Sequence, residues 1–206
     1  MLLTLKNYLS NKNRRNKKMK GDKLVLGLTG MPGSGKSLVV NVAKEQDYDI
    51  VTMGDIIREE TKKRNMELTP ENMGKVMLAL RREEGPAVIA KRCLPKITKS
   101  KSSKIIVDGI RSLDEIDEFK RNLKKFTHIG VHASPETRFQ RLYNRARPDD
   151  PKNWEDFNER DMRELSVGLG NAIAMAEKMI INQGPINVVK IDIREALEAV
   201  EQEWIS

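Results

Sequence analysis

The stretch from Lys23 to Ser37 constrains this chain more than any other. Lys23-Leu-Val-Leu-Gly-Leu-Thr29 is a continuous apolar run, the pattern of a central strand buried on both faces of an α/β sheet. It passes directly into Gly30-Met31-Pro32-Gly33-Ser34-Gly35-Lys36-Ser37, after which Leu38, Val39, Val42 and Ala43 recur at helical spacing. Strand, glycine-rich loop and helix in that order match the Walker A pattern in full. The glycines admit backbone angles and a close approach that side chains forbid, so successive amide N–H groups converge on phosphate oxygens. The helix beginning near Lys36 adds the positive end of its dipole. Gly30, Met31, Pro32, Gly33, Ser34, Gly35, Lys36 and Ser37 are therefore expected to hold the phosphates of ATP or GTP. Lys36 would reach the β and γ phosphates, and the Ser37 hydroxyl suits Mg²⁺.

The rest of the chain alternates strand and helix. Tyr48 to Thr52 reads as a second strand, Ile105-Ile106-Val107 as a third and Thr127 to Ala133 as a fourth. The fifth is either Met179-Ile180-Ile181 or Val188-Val189-Lys190-Ile191, and the spacing predicts a last helix from Arg194 to Trp204. Helical patterns fill Ile56 to Lys63, Pro70 to Arg82 and, past the Gly85-Pro86 break, Ala87 to Cys93. This alternation predicts a parallel sheet with right-handed crossovers and ligands at the carboxyl ends of the strands.

A length of 206 residues predicts one domain with a core of its own. With aromatics at 4%, that core must lean on Ile, Leu, Val and Met. The net charge of +8 suggests a nucleic-acid binder until it is divided along the chain. Seven lysines and arginines and no acid lie in residues 1–20, which leaves only +1 for the rest. The basicity is a tail, expected to be disordered, and nucleic acid enters only through it. Met19, just before the first strand, is an alternative translation start, in which case the tail is not native. The single cysteine, Cys93, excludes an internal disulfide and a multi-cysteine zinc site and fits a reducing compartment. No apolar run approaches the roughly 20 residues of a membrane span, so the expectation is a cytosolic protein without a membrane partner.

A phosphate loop alone does not separate a kinase from a switch or a motor. Asp108 follows the strand Ile105-Ile106-Val107 and precedes Gly109, where a carboxylate faces magnesium from a neighbouring strand. Arg58 follows Met53-Gly54-Asp55, and Arg111 follows Asp108-Gly109. Arg138, Arg141 and Arg145 fall at spacings of three and four, so they are expected to converge on one anionic target. Arg147 leads into Pro148-Asp149-Asp150-Pro151, and Arg160 and Arg163 open the returning helix, which has the shape of a lid. Arginines on a closing segment neutralise a transferring phosphoryl group and exclude water. The bland alternative pairs them with Asp149, Asp150, Asp161 and Glu164. His128 and His132 share a strand face with no third ligand, so sheet packing is expected. Met73 and Met77 are read as core, and Trp204 as the anchor of the last helix.

Together these motifs resemble the adenylate-kinase-like branch of P-loop kinases, which includes nucleoside monophosphate kinases and dephospho-CoA kinase. More closely, the chain is similar to an archaeal adenylate-kinase-related family of unassigned function. The shared motifs stand at Gly27 to Lys36, Met53 to Glu60, Asp108 to Ser112 and Arg147 to Pro151, and the likeness runs from about Lys23 to about Asn182. It implies a three-layer P-loop NTPase sandwich over 21–206 around a parallel five-stranded sheet, with a helical acceptor insert at about 54–100 and a lid at about 138–165. It also implies that Gly54, Asp55, Arg58 and Arg111 bind the acceptor, that Asp108 serves Mg²⁺, and that Arg141, Arg145 and Arg147 close over the donor. Two departures bear on the acceptor: Met53 replaces the threonine associated with an AMP site, and Asp108-Gly109-Ile110-Arg111 lacks the usual proline. Asn182-Gln183-Gly184-Pro185 is a marginal match to a loop near the donor base. The leading expectation is an ATP- and Mg²⁺-dependent kinase, monomeric or homodimeric, whose phosphorylated acceptor is a nucleoside monophosphate or dephospho-CoA. The alternative is a nucleotide-dependent regulator or RNA-associated ATPase without a small-molecule acceptor. No guanine-reading Asn-Lys-x-Asp motif supports a GTPase switch.

Overall fold

The computed structural model describes residues 22–205, so the basic tail at 1–20 lies outside the described residues. Strands β1 (Leu24–Thr29), β2 (Asp49–Thr52), β3 (Lys104–Asp108), β4 (Lys125–His132) and β5 (Lys178–Ile181) form one sheet in the order β2-β3-β1-β4-β5. All pairings are parallel. The phosphate-loop strand β1 is thus central, and its buried, uninterrupted apolar run is what a strand covered on both faces requires.

Side-chain alternation divides the core into two halves. On one face Leu24, Leu26, Leu28, Ile106, Ile129, Val131 and Ile180 pack under α1 (Lys36–Glu45) and α9 (Ile186–Ile205). On the other face Val25, Val51, Ile105, Val107 and Phe126 pack under a helical layer. That layer contains α2 (Met53–Lys63), α3 (Pro70–Glu84), α4 (Val88–Lys99) and α5 (Leu113–Asn122), with Ala172 of α8 (Leu169–Ala174). Two further helices, α6 (Pro135–Arg145) and α7 (Trp154–Ser166), form a hairpin over the carboxyl edge of the sheet beside the glycine-rich loop. The result is a three-layer P-loop NTPase sandwich.

Several sequence expectations shift by local physics. Val188–Ile191 is helical, and Lys178–Ile181 alone supplies the fifth strand. β-branched residues favour strands only weakly. Here Val189, Ile193, Leu197 and Val200, at helical spacing, are buried while Val188 and Ile191 are about half exposed. The last helix therefore begins at Ile186 rather than Arg194. Helix α2 begins at Met53, directly after β2, and α4 runs past Cys93 with Pro95 inside it. On α3 the core stripe is Val76 and Leu80, whereas Met77 is half-buried at a cavity wall, a correction to its reading as core. Trp204 does anchor the last helix, its indole N–H donating to Thr127 Oγ1 at 3.0 Å.

Candidate active site

The turn after β1 is built for close approach. Gly33 and Gly35 have φ of 79° and 94°, in the left-handed region that favours glycine. A Cβ on Gly33 would stand 2.8 Å from the Arg138 carbonyl, and one on Gly35 only 1.9 Å from Asn182 Nδ2. The same asparagine donates from Nδ2 to the Ser34 carbonyl at 2.8 Å, so the loop is braced from β5's exit. Lys36 folds back on its own loop and donates to the Gly30 carbonyl at 2.6 Å. Burial lowers its pKa to about 8, with Asp108 pulling it up and Arg111 pushing it further down.

Asp108 stands at the end of β3, in register with Leu28 of β1. Its Oδ1 is buried without a hydrogen-bond partner, and burial raises the carboxyl pKa against the opposing pull of Lys36 and Arg111. The exposed Ser37 hydroxyl borders the same cleft. A free carboxylate oxygen and a hydroxyl beside a phosphate loop are the hard oxygen donors that Mg²⁺ takes, so these two residues fit the ion.

Two cavities meet here. One, of about 360 Å³, runs along Gly33, Gly35, Lys36, Ser37 and Asp108 to Arg111, Arg141, Arg145, Arg160 and Glu164. The other, of about 220 Å³, lies among Thr52, Met53, Gly54, Ile57, Arg58, Met77, Arg81, Ile89 and Glu115. Lys36, Asp108 and Arg111 line both, so the junction carries the loop lysine, the candidate metal carboxylate and an arginine.

The arginines do not converge on one target as their helical spacing predicts. Arg138 is 4% exposed and grips Asp161 of α7 with two bonds, Nη1–Oδ1 at 2.8 Å and Nη2–Oδ2 at 2.5 Å. It also donates to the Ala133 and Pro32 carbonyls, and its guanidinium lies 4.9 Å from the Phe157 ring centroid. All its capacity goes to holding the α6–α7 hairpin on the loop. Arg141 instead has no carboxylate partner among the described residues. Its Nη2 donates to Asn182 O at 3.0 Å, Nη1 lies 3.5 Å from the Gly33 and Ser34 carbonyls, and burial lowers its pKa. Arg145 pairs with Asp150 at 2.5 and 2.8 Å while lining the larger cavity, and this arginine holds the Asp150 carboxyl down at about 2.

Arg147 is exposed and joins through its backbone, its N–H donating to Asp150 Oδ2 at 3.0 Å and its carbonyl accepting the Asp150 N–H at 2.9 Å; it is not among the residues that line the larger cavity. Arg111 pairs with Glu164 at 3.1 Å, and Arg160 with Asp149 and Asp150. Arg58 pairs with Asp55 at 2.5 Å. Gly54 and Arg58 border the smaller cavity, whereas Asp55 faces a neighbouring depression with Lys96 and Lys99.

Sequence reasoning missed or left marginal Arg81, Glu115 and Glu164, which line the cavities, and Asn182, which braces the loop. Glu115 had a signal, because Ser112-x-x-Glu115 is capping-box spacing, and Ser112 Oγ accepts the Glu115 N–H at 3.4 Å. For Arg81 the sequence offers none. His128 is buried on β4 with both ring nitrogens unpartnered, and burial lowers its pKa to about 4. His132 is exposed, and no group of three His, Cys, Asp or Glu that could hold a metal occurs among the described residues. Among those residues no helix is long and apolar enough to cross a membrane.

Residues 29–158 match a family described as AAA domain. A UPF0200 protein of Hyperthermus butylicus is 46% identical over 161 residues, covering 78% of this chain and 86% of that protein. One from Methanocaldococcus jannaschii is 49% identical over 162 residues, covering 78% and 82%. One from Thermococcus onnurineus is 42% identical over 181 residues, covering 86% and 98%. Among solved structures, a Thermus thermophilus protein aligns over 88% of this chain and 98% of its own, with a TM-score of 0.62 at 16% identity. A shikimate kinase from Bacteroides thetaiotaomicron aligns over 85% and 98% with a TM-score of 0.56 at 16% identity. At such identities these two speak for the shared fold alone.

Proposed function

The chain belongs to the UPF0200 family, and from that premise we propose that it is an ATP- and Mg²⁺-dependent kinase acting on a phosphorylated, nucleotide-like acceptor such as a nucleoside monophosphate or dephospho-CoA. The observation that carries this reading is the junction of two cavities at Lys36, Asp108 and Arg111. Transfer between two bound molecules needs a donor pocket and an acceptor pocket sharing one wall of charge, whereas hydrolysis needs only the first.

In this reading the loop amides hold the donor's phosphates. Lys36 exchanges the Gly30 carbonyl for the β and γ oxygens, so its charge is already desolvated where it acts. An acceptor oxygen attacks the γ phosphorus in line, the bond to the β-phosphate oxygen breaks, and ADP leaves. Arg141 stands on the loop bonded to carbonyls and, among the described residues, with no carboxylate to release, which suits it to the charge that develops. Arg145 and Arg160 must give up lid carboxylates to join it. Bound through Ser37 and Asp108, Mg²⁺ would neutralise the β and γ oxygens. Arg58 and Arg111 would hold the acceptor phosphate, and the exposed Asp55–Arg58 pair costs little to part.

The test is a mass-spectrometric screen of purified protein with Mg-ATP against nucleoside monophosphates and dephospho-CoA, with Lys36→Ala as control. A phosphorylated acceptor that disappears in the control is the expected result. ADP formed without such a product, rising with RNA, would instead make the protein a nucleotide-driven regulator.

A further inference from the structure

Arg81 lies on α3, away from every motif, and lines the smaller cavity with 16% of its side chain exposed. Its Nη2 donates to Glu115 Oε1 at 2.9 Å, and the Glu115 side chain is only 2% exposed. An arginine and a carboxylate often close into a fork with two parallel bonds, as Arg138 and Asp161 do here. Here the second oxygen is taken, since Glu115 Oε2 accepts the Arg111 backbone N–H at 2.8 Å. Nε of Arg81 is consequently buried without a partner, and no hydrogen bond engages Nη1 among the described residues. The pair stands on the wall of a cavity that Arg58 and Arg111 also line. That wall carries four cations, with Lys36, against the carboxylates of Asp108 and Glu115.

We propose that Arg81 is a third acceptor-binding arginine, forming with Arg58 and Arg111 an oxyanion site for a phosphate monoester in the smaller cavity. Glu115 is the positioning residue: one carboxylate sets the spacing between the Arg81 guanidinium and the backbone from which Arg111 projects. The proposal rests on reading this cavity as the acceptor site and adds a determinant of which acceptors it takes. A phosphate monoester is a near-dianion at neutral pH; Arg58 and Arg111 leave Asp55 and Glu164 to meet it, while Arg81 keeps Glu115 and still presents Nη1. The open Nη1 of Arg81 rewards a charged oxygen, where a neutral hydroxyl acceptor would pair with it more weakly.

Calorimetric titration of inorganic phosphate into protein saturated with Mg-ADP tests this, because the donor's loop is then filled. Wild type is expected to bind phosphate, and Arg58→Ala to weaken it. Arg81→Lys keeps a cation for Glu115 and should keep the melting temperature and Mg-ADP affinity, yet weaken phosphate by about tenfold or more. Arg81→Met should weaken phosphate at least as much. Wild-type affinity in Arg81→Lys, or phosphate binding lost only together with folding, would make the residue structural and overturn the proposal. So would Mg-ADP binding with no phosphate binding, or phosphate binding indifferent to both Arg58 and Arg81, as expected of an ion lodged beside ADP on the loop. Failure of wild type to bind Mg-ADP would instead overturn the nucleotide reading and this proposal with it.

Discussion

Replacing Arg138 with alanine should cost stability rather than catalysis, the opposite of what its place in the arginine cluster suggests. The side chain makes both bonds of a fork to Asp161, donates to the Ala133 and Pro32 carbonyls, and packs on Phe157. Alanine would leave the Asp161 carboxylate, 14% exposed, without its partner and the Ala133 and Pro32 carbonyls without a donor. Removing one partner of a buried pair typically costs about 3–5 kcal/mol, and the residual exposure of Asp161 argues for the lower figure, about 3 kcal/mol. For a domain of this length that corresponds to a melting temperature lower by about 6–12 °C. Urea unfolding followed by circular dichroism measures the first quantity and calorimetry the second. Arg138→Ala/Asp161→Asn should be less destabilised than the sum of the single changes, because no lone charge remains. The reasoning fails if Arg138→Ala unfolds within about 1 kcal/mol of wild type while its nucleotide affinity collapses.

The neighbouring Arg141→Ala should do the reverse, leaving the urea midpoint nearly unchanged and weakening Mg-ATP by about tenfold or more in a fluorescent-nucleotide titration, since no carboxylate is orphaned. Gly35→Ala should abolish nucleotide binding, because the new Cβ would meet Asn182 Nδ2 at 1.9 Å on a backbone at φ 94°; a variant that still bound Mg-ADP normally would contradict the bracing role of Asn182. His128 binds its proton with a pKa of about 4 in the fold against an ordinary 6.5, so between those values the unfolded chain holds more protons and stability falls as pH drops. Urea midpoints at pH 7.5 and 4.5 should differ by an amount that includes about 3 kcal/mol from this residue, and His128→Leu should remove that part. Asp108→Asn should flatten the dependence of Mg-ADP affinity on Mg²⁺ concentration, and an unchanged dependence would remove Asp108 from the metal site.

The phosphate loop and the sheet were legible because their signals are local. A buried apolar run, glycines at fixed offsets and a helix-spaced stripe all lie between Lys23 and Ala43, and each succeeding strand has an apolar run of its own. Where the local signal was mixed it misled: Val188–Ile191 carries strand propensity, but the buried stripe of Val189, Ile193, Leu197 and Val200 overrides it. Partner choice was not legible at all. Arg138 and Arg141 are the same residue type one turn apart on one helix, yet one is spent on Asp161 of α7 and the other rests on Asn182 past β5. Arg81 is equally silent in sequence, since Glu115 reaches it from another helix 34 positions away. The chain alone therefore determined a parallel P-loop fold and the glycine-rich loop at its centre, because hydrophobic periodicity and glycine conformation act over a few bonds. Which arginines remain free to meet a ligand was decided only by tertiary structure, because a guanidinium's partner is set by whichever carboxylate the packed helices carry to within about 3 Å of it.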